Sequence, residues 1–156
     1  MKYINKEYGL HIIVEEVLIN ALYDSSLSHY PNEFGGLLVG NYSLDKNTVF
    51  INKTILPSEY TSSRFSFIRG TRGLRRILKN YFKMKPSQYY VGEWHSHPDG
   101  LAVPSGTDLN AFIKITSHDE VYIDNPILLI FSVYSTKFDF SFYVYFNQKF
   151  LKYEKE

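Results

Sequence analysis

The sequence predicts an α/β sandwich in which a mixed, largely antiparallel sheet packs between helices. Strand-length runs either alternate polar with apolar residues or are apolar throughout, and three segments place apolar residues at helical spacing. Strands and helices also follow one another without the strict alternation of a doubly wound parallel sheet. Residues 1–156 read as one domain, because this length suits a single core and no repeat, low-complexity tract or linker divides it.

Leu10 to Ile13 is a short strand candidate. Val14, Val17, Leu18, Ala21 and Leu22 then fall on one face of a helix. Glu15 and Glu16 occupy its first turn, where the helix dipole favours negative charge. This helix should fade around Asp24-Ser25-Ser26. Gly35 to Tyr42 and Thr48 to Leu56 read as strands joined by the polar turn Ser43-Leu44-Asp45-Lys46-Asn47.

Arg64 to Ile68 alternates as a short strand. Gly73 to Lys83 carries Leu74, Ile77, Leu78, Tyr81 and Phe82 on one face of a second helix, which Pro86 closes off. Tyr89 to Trp94 is a strand, followed by a polar loop containing Pro and Gly. A third helix starts at Ser105 and runs to about Thr116 on the stripe Leu109, Phe112 and Ile113. Two strands end the chain. Ile127 to Tyr134 opens with the longest apolar run, and Phe138 to Phe146 alternates Phe138, Phe140, Phe142, Val144 and Phe146 with Asp139, Ser141, Tyr143 and Tyr145.

Composition narrows the chemistry. Net charge is +1, from 17 Lys plus Arg against 16 Asp plus Glu, which argues against a dedicated nucleic-acid binder. The absence of Cys excludes disulfides, a Cys nucleophile, Cys-ligated zinc and iron–sulfur clusters, so a metal site must use His, Asp, Glu and water. No segment approaches the roughly 20 apolar residues of a membrane span. Met1 to Glu7 lacks the apolar core of a signal peptide, so a cytoplasmic location without membrane attachment is expected.

The informative stretch runs from Gly92 to Asp108. His95 and His97, two apart at the end of a strand, point to the same side of the sheet. Two converging imidazoles can each hold a divalent ion at about 2.0–2.1 Å. Asp108, in the first turn of the third helix, is placed to fold back as a third ligand. Two His and one carboxylate with a fourth position open is the ligand set of a catalytic zinc site, where water becomes a nucleophile near neutral pH. Ser105-Gly106-Thr107-Asp108 also fits a capping box, with Ser105 as N-cap, and capping and ligation are compatible. Trp94 should face the opposite side and pack in the core, while Glu93 shares the histidines' side and is a weaker second candidate for a carboxylate role.

His95-Ser96-His97-Pro98, six residues, Ser105, two residues, Asp108 resembles the JAMM (MPN-plus) zinc metalloprotease signature H-S/T-H-P-x6-S-x2-D at every defined position. Glu33-Phe34-Gly35-Gly36-Leu37-Leu38-Val39-Gly40 is similar to that family's upstream glutamate segment. The resemblance implies the MPN (JAMM, cytidine-deaminase-like) fold over nearly the whole chain. It further implies one zinc held by His95, His97 and Asp108. Glu33 would take a proton from the zinc-bound water as general base and pass it to the leaving amine. Ser105 would donate a hydrogen bond to the oxyanion. Family members cut the bond after the C-terminal glycine of ubiquitin or a ubiquitin-like protein.

The chain's compactness is similar to prokaryotic stand-alone members. These resemble parts of small ubiquitin-like conjugation systems with activating-enzyme-like and conjugating-enzyme-like proteins, including antiphage operons. A ubiquitin-like protein or its conjugate is the partner this implies, and no substrate-binding residue is assigned. Two alternatives remain: a catalytically inactive MPN-type scaffold, and a RadC-like protein linked to DNA metabolism. His11, His29 and His118 have no partner at ligand spacing and read as structural or exposed. Arg64 to Lys85 carries eight basic residues and no acidic one, either a solvated helix face or a docking patch for an acidic partner protein or for nucleic acid.

Overall fold

The protein is described by a computed structural model covering residues 1–119 and 121–156. Its first half contains β1 (Lys2–Asn5), β2 (Leu10–Val14), α1 (Glu16–His29), β3 (Gly35–Tyr42), β4 (Thr48–Ile55), β5 (Tyr60–Ser63) and β6 (Ser66–Arg69). Then follow α2 (Leu74–Phe82), β7 (Tyr89–Pro98), α3 (Gly106–Thr116), β8 (Ile127–Val133), β9 (Phe138–Phe146), β10 (Lys149–Lys152) and β11 (Glu154–Lys155). Nine strands form one sheet in the order β10-β9-β8-β7-β3-β4-β2-β1-β11, and β5 and β6 form a separate hairpin. Only β2–β4 and β7–β8 pair in parallel; the other neighbours in the large sheet are antiparallel. The predicted mixed, largely antiparallel α/β arrangement is what forms.

The pleat sorts each strand's side chains between two layers. One face receives α1, through Ile19 and Leu22, on a core that includes Ile12, Leu38, Trp94, Phe131 and Phe142. The opposite face receives α2, with Leu74, Ile77 and Leu78 on Leu37, Val39 and Ile55. It also receives α3, with Phe112 on Leu128, Ile130 and Tyr143. Strand β9 divides as its alternation requires, Phe138, Phe140, Phe142, Val144 and Phe146 toward α1 and Tyr143 and Tyr145 toward α3.

Several sequence expectations are corrected. Val14 ends β2, so it does not set the helical phase; α1 buries Ile19, Leu22 and Ser26, while Val17 is 75% exposed. The helix also runs on past Asp24-Ser25-Ser26 to His29, because the buried Ser26 hydroxyl donates back to the Leu22 carbonyl at 2.8 Å. Arg64 to Ile68 is not one strand: Arg64 and Phe65 are the turn of the β5–β6 hairpin. Strand β7 does not stop at Trp94 but continues to Pro98, because β8 pairs with it in parallel from Gly92 to Pro98. Phe82, placed on the buried stripe of α2, is 62% exposed.

Phe138 to Phe146 does not end the sheet either. Strand β10 pairs with β9 and β11 pairs with β1, with Tyr153 alone between them, so one short segment hydrogen-bonds to both ends of the strand order. Tyr153 is buried, and its N–H donates to the Phe142 carbonyl at 2.9 Å. Among the described residues, no helix is long and apolar enough to cross a membrane.

Candidate active site

The segment β7–α3–β8 is a strand–helix–strand unit, and the site lies where β7 ends and α3 begins. Along β7, Trp94 and Ser96 turn toward α1 and are fully buried, which sends Glu93, His95 and His97 to the face covered by α2 and α3. Ser96 has a second task. Its hydroxyl accepts from the Phe34 N–H at 3.0 Å, and its own N–H donates to the Phe34 carbonyl at 2.8 Å. The segment carrying Glu33 is thereby fastened to the strand carrying both histidines.

Gly35 makes the same junction close. A Cβ there would collide with the Trp94 carbonyl and lie 2.8 Å from the His95 Cβ. The Glu33 backbone is also held from the hairpin side. Its N–H donates to the Ser63 carbonyl at 2.8 Å, and its carbonyl accepts from the Ser62 hydroxyl at 2.5 Å. The Phe34 ring, stacked on His29 at 3.5 Å between centroids, anchors the turn beneath. His29 is therefore structural.

After Pro98 the chain reverses at Asp99, whose φ is 53°. The loop folds back so that the Leu101 carbonyl lies 3.0 Å from His97 Nδ1. A carbonyl there requires Nδ1 to carry the proton, which leaves the Nε2 lone pair free to ligate. Helix α3 then opens with the capping box foreseen above. Ser105 Oγ accepts from the Asp108 N–H at 3.2 Å, and the Ser105 N–H donates to Asp108 Oδ2 at 2.6 Å. The cap fixes the Asp108 carboxylate on the side facing β7.

His95, His97 and Asp108 converge. The two Nε2 atoms are 3.0 Å apart, with His95 Nε2 3.3 Å from Asp108 Oδ1 and His97 Nε2 3.4 Å from Asp108 Oδ2. Donors about 2.0–2.1 Å from one tetrahedral ion lie roughly 3.3 Å from each other, so this spacing and this donor chemistry fit a divalent zinc-like cation. Burial acts to raise the Asp108 pKa, but hydrogen bonds from His95, His97 and Ser105 outweigh it and hold the carboxyl well below the usual range. For His97, burial disfavours the charged form, yet hydrogen bonds to Asp108 and Leu101 carry its pKa upward. Asp108 therefore favours its ionised form, and its charge in turn favours a proton or a cation at the two imidazoles.

Glu33 lies within electrostatic reach of all three. Burial, with the Asp108 charge adding to it, raises its pKa, while the two imidazoles pull the other way. Glu93 has different partners. Its carboxylate accepts from Arg69 Nε at 3.0 Å, from Arg69 Nη2 at 2.7 Å and from the Tyr90 hydroxyl at 3.1 Å. Both its oxygens are engaged in binding the hairpin to β7. Arg69 is the residue that sequence reasoning placed only in a basic run. A carboxylate on a buried strand face demanded a cation, but nothing in the spacing said which. His11 is half-exposed, 3.8 Å from Glu156, and His118 lines a groove alongside α2.

Residues 15–144 match the family of prokaryotic homologs of the JAB domain. The chain belongs to that family. It is also 36% identical over 120 residues to a CD-NTase/cGAS isopeptidase from Enterobacter hormaechei subsp. hoffmannii (strain UCI 50). That alignment covers 76% of this chain but 66% of the relative, just under two thirds of its length. A protein from Desulfitobacterium hafniense, solved in solution, is similar in fold, with a TM-score of 0.61 and 18% identity over 90% of this chain and 88% of the other.

Proposed function

We propose that this JAB-family chain is a zinc-dependent isopeptidase. It would hydrolyse the bond after the C-terminal glycine of a ubiquitin-like protein, or the amide that joins a CD-NTase/cGAS-type protein to its acceptor. The observation that carries this reading is the convergence of His95, His97 and Asp108 on one point, with all their ligand atoms within 4.8 Å of one another. The name of the Enterobacter relative supports the substrate class.

His95, His97 and Asp108 would hold one zinc per chain, which when bound supplies a polarising charge for the amide carbonyl and activated water near neutral pH. Glu33, its pKa raised by burial, accepts the proton of the attacking water and returns it to the departing amine nitrogen. Ser105 donates its hydroxyl proton to the carbonyl oxygen as negative charge gathers there. His97 stays oriented by the Leu101 carbonyl. The sheet and helices around these groups constitute the MPN, cytidine-deaminase-like fold in this reading, acting as one unit over residues 1–156 in the cytoplasm. Activating-enzyme-like and conjugating-enzyme-like proteins would form the conjugates it cuts. The intact ligand set favours an enzyme over an inactive scaffold, and the near-neutral charge disfavours a DNA-linked role.

The test is cleavage of a CD-NTase or ubiquitin-like fusion joined through its C-terminal glycine to a reporter lysine. Cleavage with about one zinc per chain, lost in Glu33→Ala and after chelation, is the expected result. Undiminished cleavage by the chelated protein would overturn it.

A further inference from the structure

A groove of about 810 Å³ lies on the α2–α3 side of the sheet, walled by Leu74, Leu78 and Phe82 of α2 and by Val121 and Tyr122 beyond α3. It adjoins a smaller cavity of about 350 Å³ that is lined by His95 and Asp108, with Arg69, Thr71 and Ile115 lining both. Phe82 and Tyr122, which both line this groove, are 62% and 90% exposed, unusual for rings along one apolar trough. The rim is basic. Arg75 lines the groove, and Lys79 follows one helical turn later on the same stripe, between Arg75 and Phe82.

Arg64, Arg69 and Arg72 are paired with Asp99, Glu93 and Glu59, whereas Arg75 and Lys79 make no ion pair among the described residues. No carboxylate is among the described residues that line the groove. From this we infer that the groove receives an extended peptide segment of the protein being released. That segment would set an apolar side chain between Phe82 and Tyr122 and carboxylates against Arg75 and Lys79. The assignment to the released protein rests on the isopeptidase reading, because only a chain leading to the scissile amide must enter the cavity at His95. The chemistry of the segment, apolar and acidic, follows from the groove itself.

The test measures binding apart from cleavage. Fluorescein-labelled 12-residue peptides would be titrated by anisotropy against the chelated full chain. One peptide carries a Leu flanked by Glu in a Gly-Ser frame; the others replace Glu by Lys or Leu by Ser. The Glu–Leu peptide should bind at least tenfold more tightly than either analogue. Arg75→Glu with Lys79→Glu should cost about tenfold, and Phe82→Ser should remove the preference for Leu while leaving the preference for Glu. Binding to the chelated chain is read without any cleavage, so a failed hydrolase reading would leave this result standing. Equal binding of the Glu and Lys peptides, or no effect of the charge reversal, would overturn the inference. So would tighter, Arg75-dependent binding of a labelled 20-nucleotide single-stranded DNA, which would reassign the groove to nucleic acid.

Discussion

Arg69 and Glu93 meet through two parallel hydrogen bonds, Nε to Oε2 at 3.0 Å and Nη2 to Oε1 at 2.7 Å, across the gap between the β5–β6 hairpin and the histidine strand. Their side chains are only 16% and 11% exposed, so each charge depends on the other. Removing one partner of such a pair leaves an uncompensated charge and costs about 3–5 kcal/mol. Glu93→Ala should therefore lose stability of that order in chemical denaturation. The double variant Arg69→Met, Glu93→Leu should recover most of it, because replacing both members with apolar groups is often neutral. A Glu93→Ala protein as stable as the parent would show that the pair does not fasten the hairpin.

The link through Ser96 should separate metal binding from turnover. Ser96→Ala removes the acceptor of the buried Phe34 N–H, a cost of about 1–3 kcal/mol. Both histidines remain on β7, so zinc content should be unchanged. Glu33, however, loses the tie that sets its distance from them, and kcat should fall more than KM changes. Loss of zinc in step with activity would contradict this division.

Gly35→Ala should act on the opposite side of the same junction. The added methyl meets the Trp94 carbonyl and the His95 Cβ at 2.8 Å, and backbone cannot yield as a flexible side chain can. Overpacking of this kind costs typically 1–3 kcal/mol. Because the displaced residue is His95, zinc affinity should fall together with stability, measurable by competition with a chelator. Normal affinity in a destabilised Gly35→Ala would mean that β3 moves and β7 does not.

The spacing of His95, His97, Ser105 and Asp108 carried most of the candidate site, because two histidines two apart on a strand share a face and a capping box holds its carboxylate at the start of the helix. Trp94 was assignable to the core by the same alternation. The placement of Glu33 within electrostatic reach of this cluster was not readable from spacing. It depends on Ser62 and Ser63, which bind the Glu33 backbone, and on Ser96, which binds that of Phe34 from 62 residues away in sequence. The extension of β7 through Pro98 was hidden for a related reason, since a parallel partner, β8, supplies the order that the polar motif lacks. Strand β1 and the C-terminal strands escaped notice because four or fewer residues give too short a period to detect.

Stability of the metal-free protein should depend on pH through the triad. Asp108 has its pKa lowered from 3.8, burial opposing and the histidine and Ser105 hydrogen bonds prevailing. Its contribution is present above that unfolded value and is lost as pH falls through the folded one. His97 has its pKa raised from 6.5, against its burial, by Asp108 and Leu101. Its contribution is full below 6.5 and is lost as pH rises through the folded value. The chelated protein should thus be most stable between about pH 4 and 6.5 and weaken on the alkaline side. With zinc the imidazole must be neutral, so the metal's added stabilisation should grow as pH rises over that same alkaline range. Urea denaturation from pH 5 to 8, with and without chelator, checks both slopes, and Asp108→Asn should flatten the chelated curve.

Ser105 joins two roles whose costs can be told apart. As N-cap its oxygen accepts from the Asp108 N–H, and a hydroxyl can accept and donate at the same time. Ser105→Ala removes both functions and should cost about 1 kcal/mol of stability through the lost cap. Loss of an oxyanion donor should lower kcat by a further ~10²–10³. Ser105→Asp restores a capping oxygen but brings a charge that cannot donate. It should recover the stability of the parent and none of its kcat. If Ser105→Asp instead cleaves the fusion at the parental rate, the hydroxyl serves the helix alone and the oxyanion must be stabilised by another group.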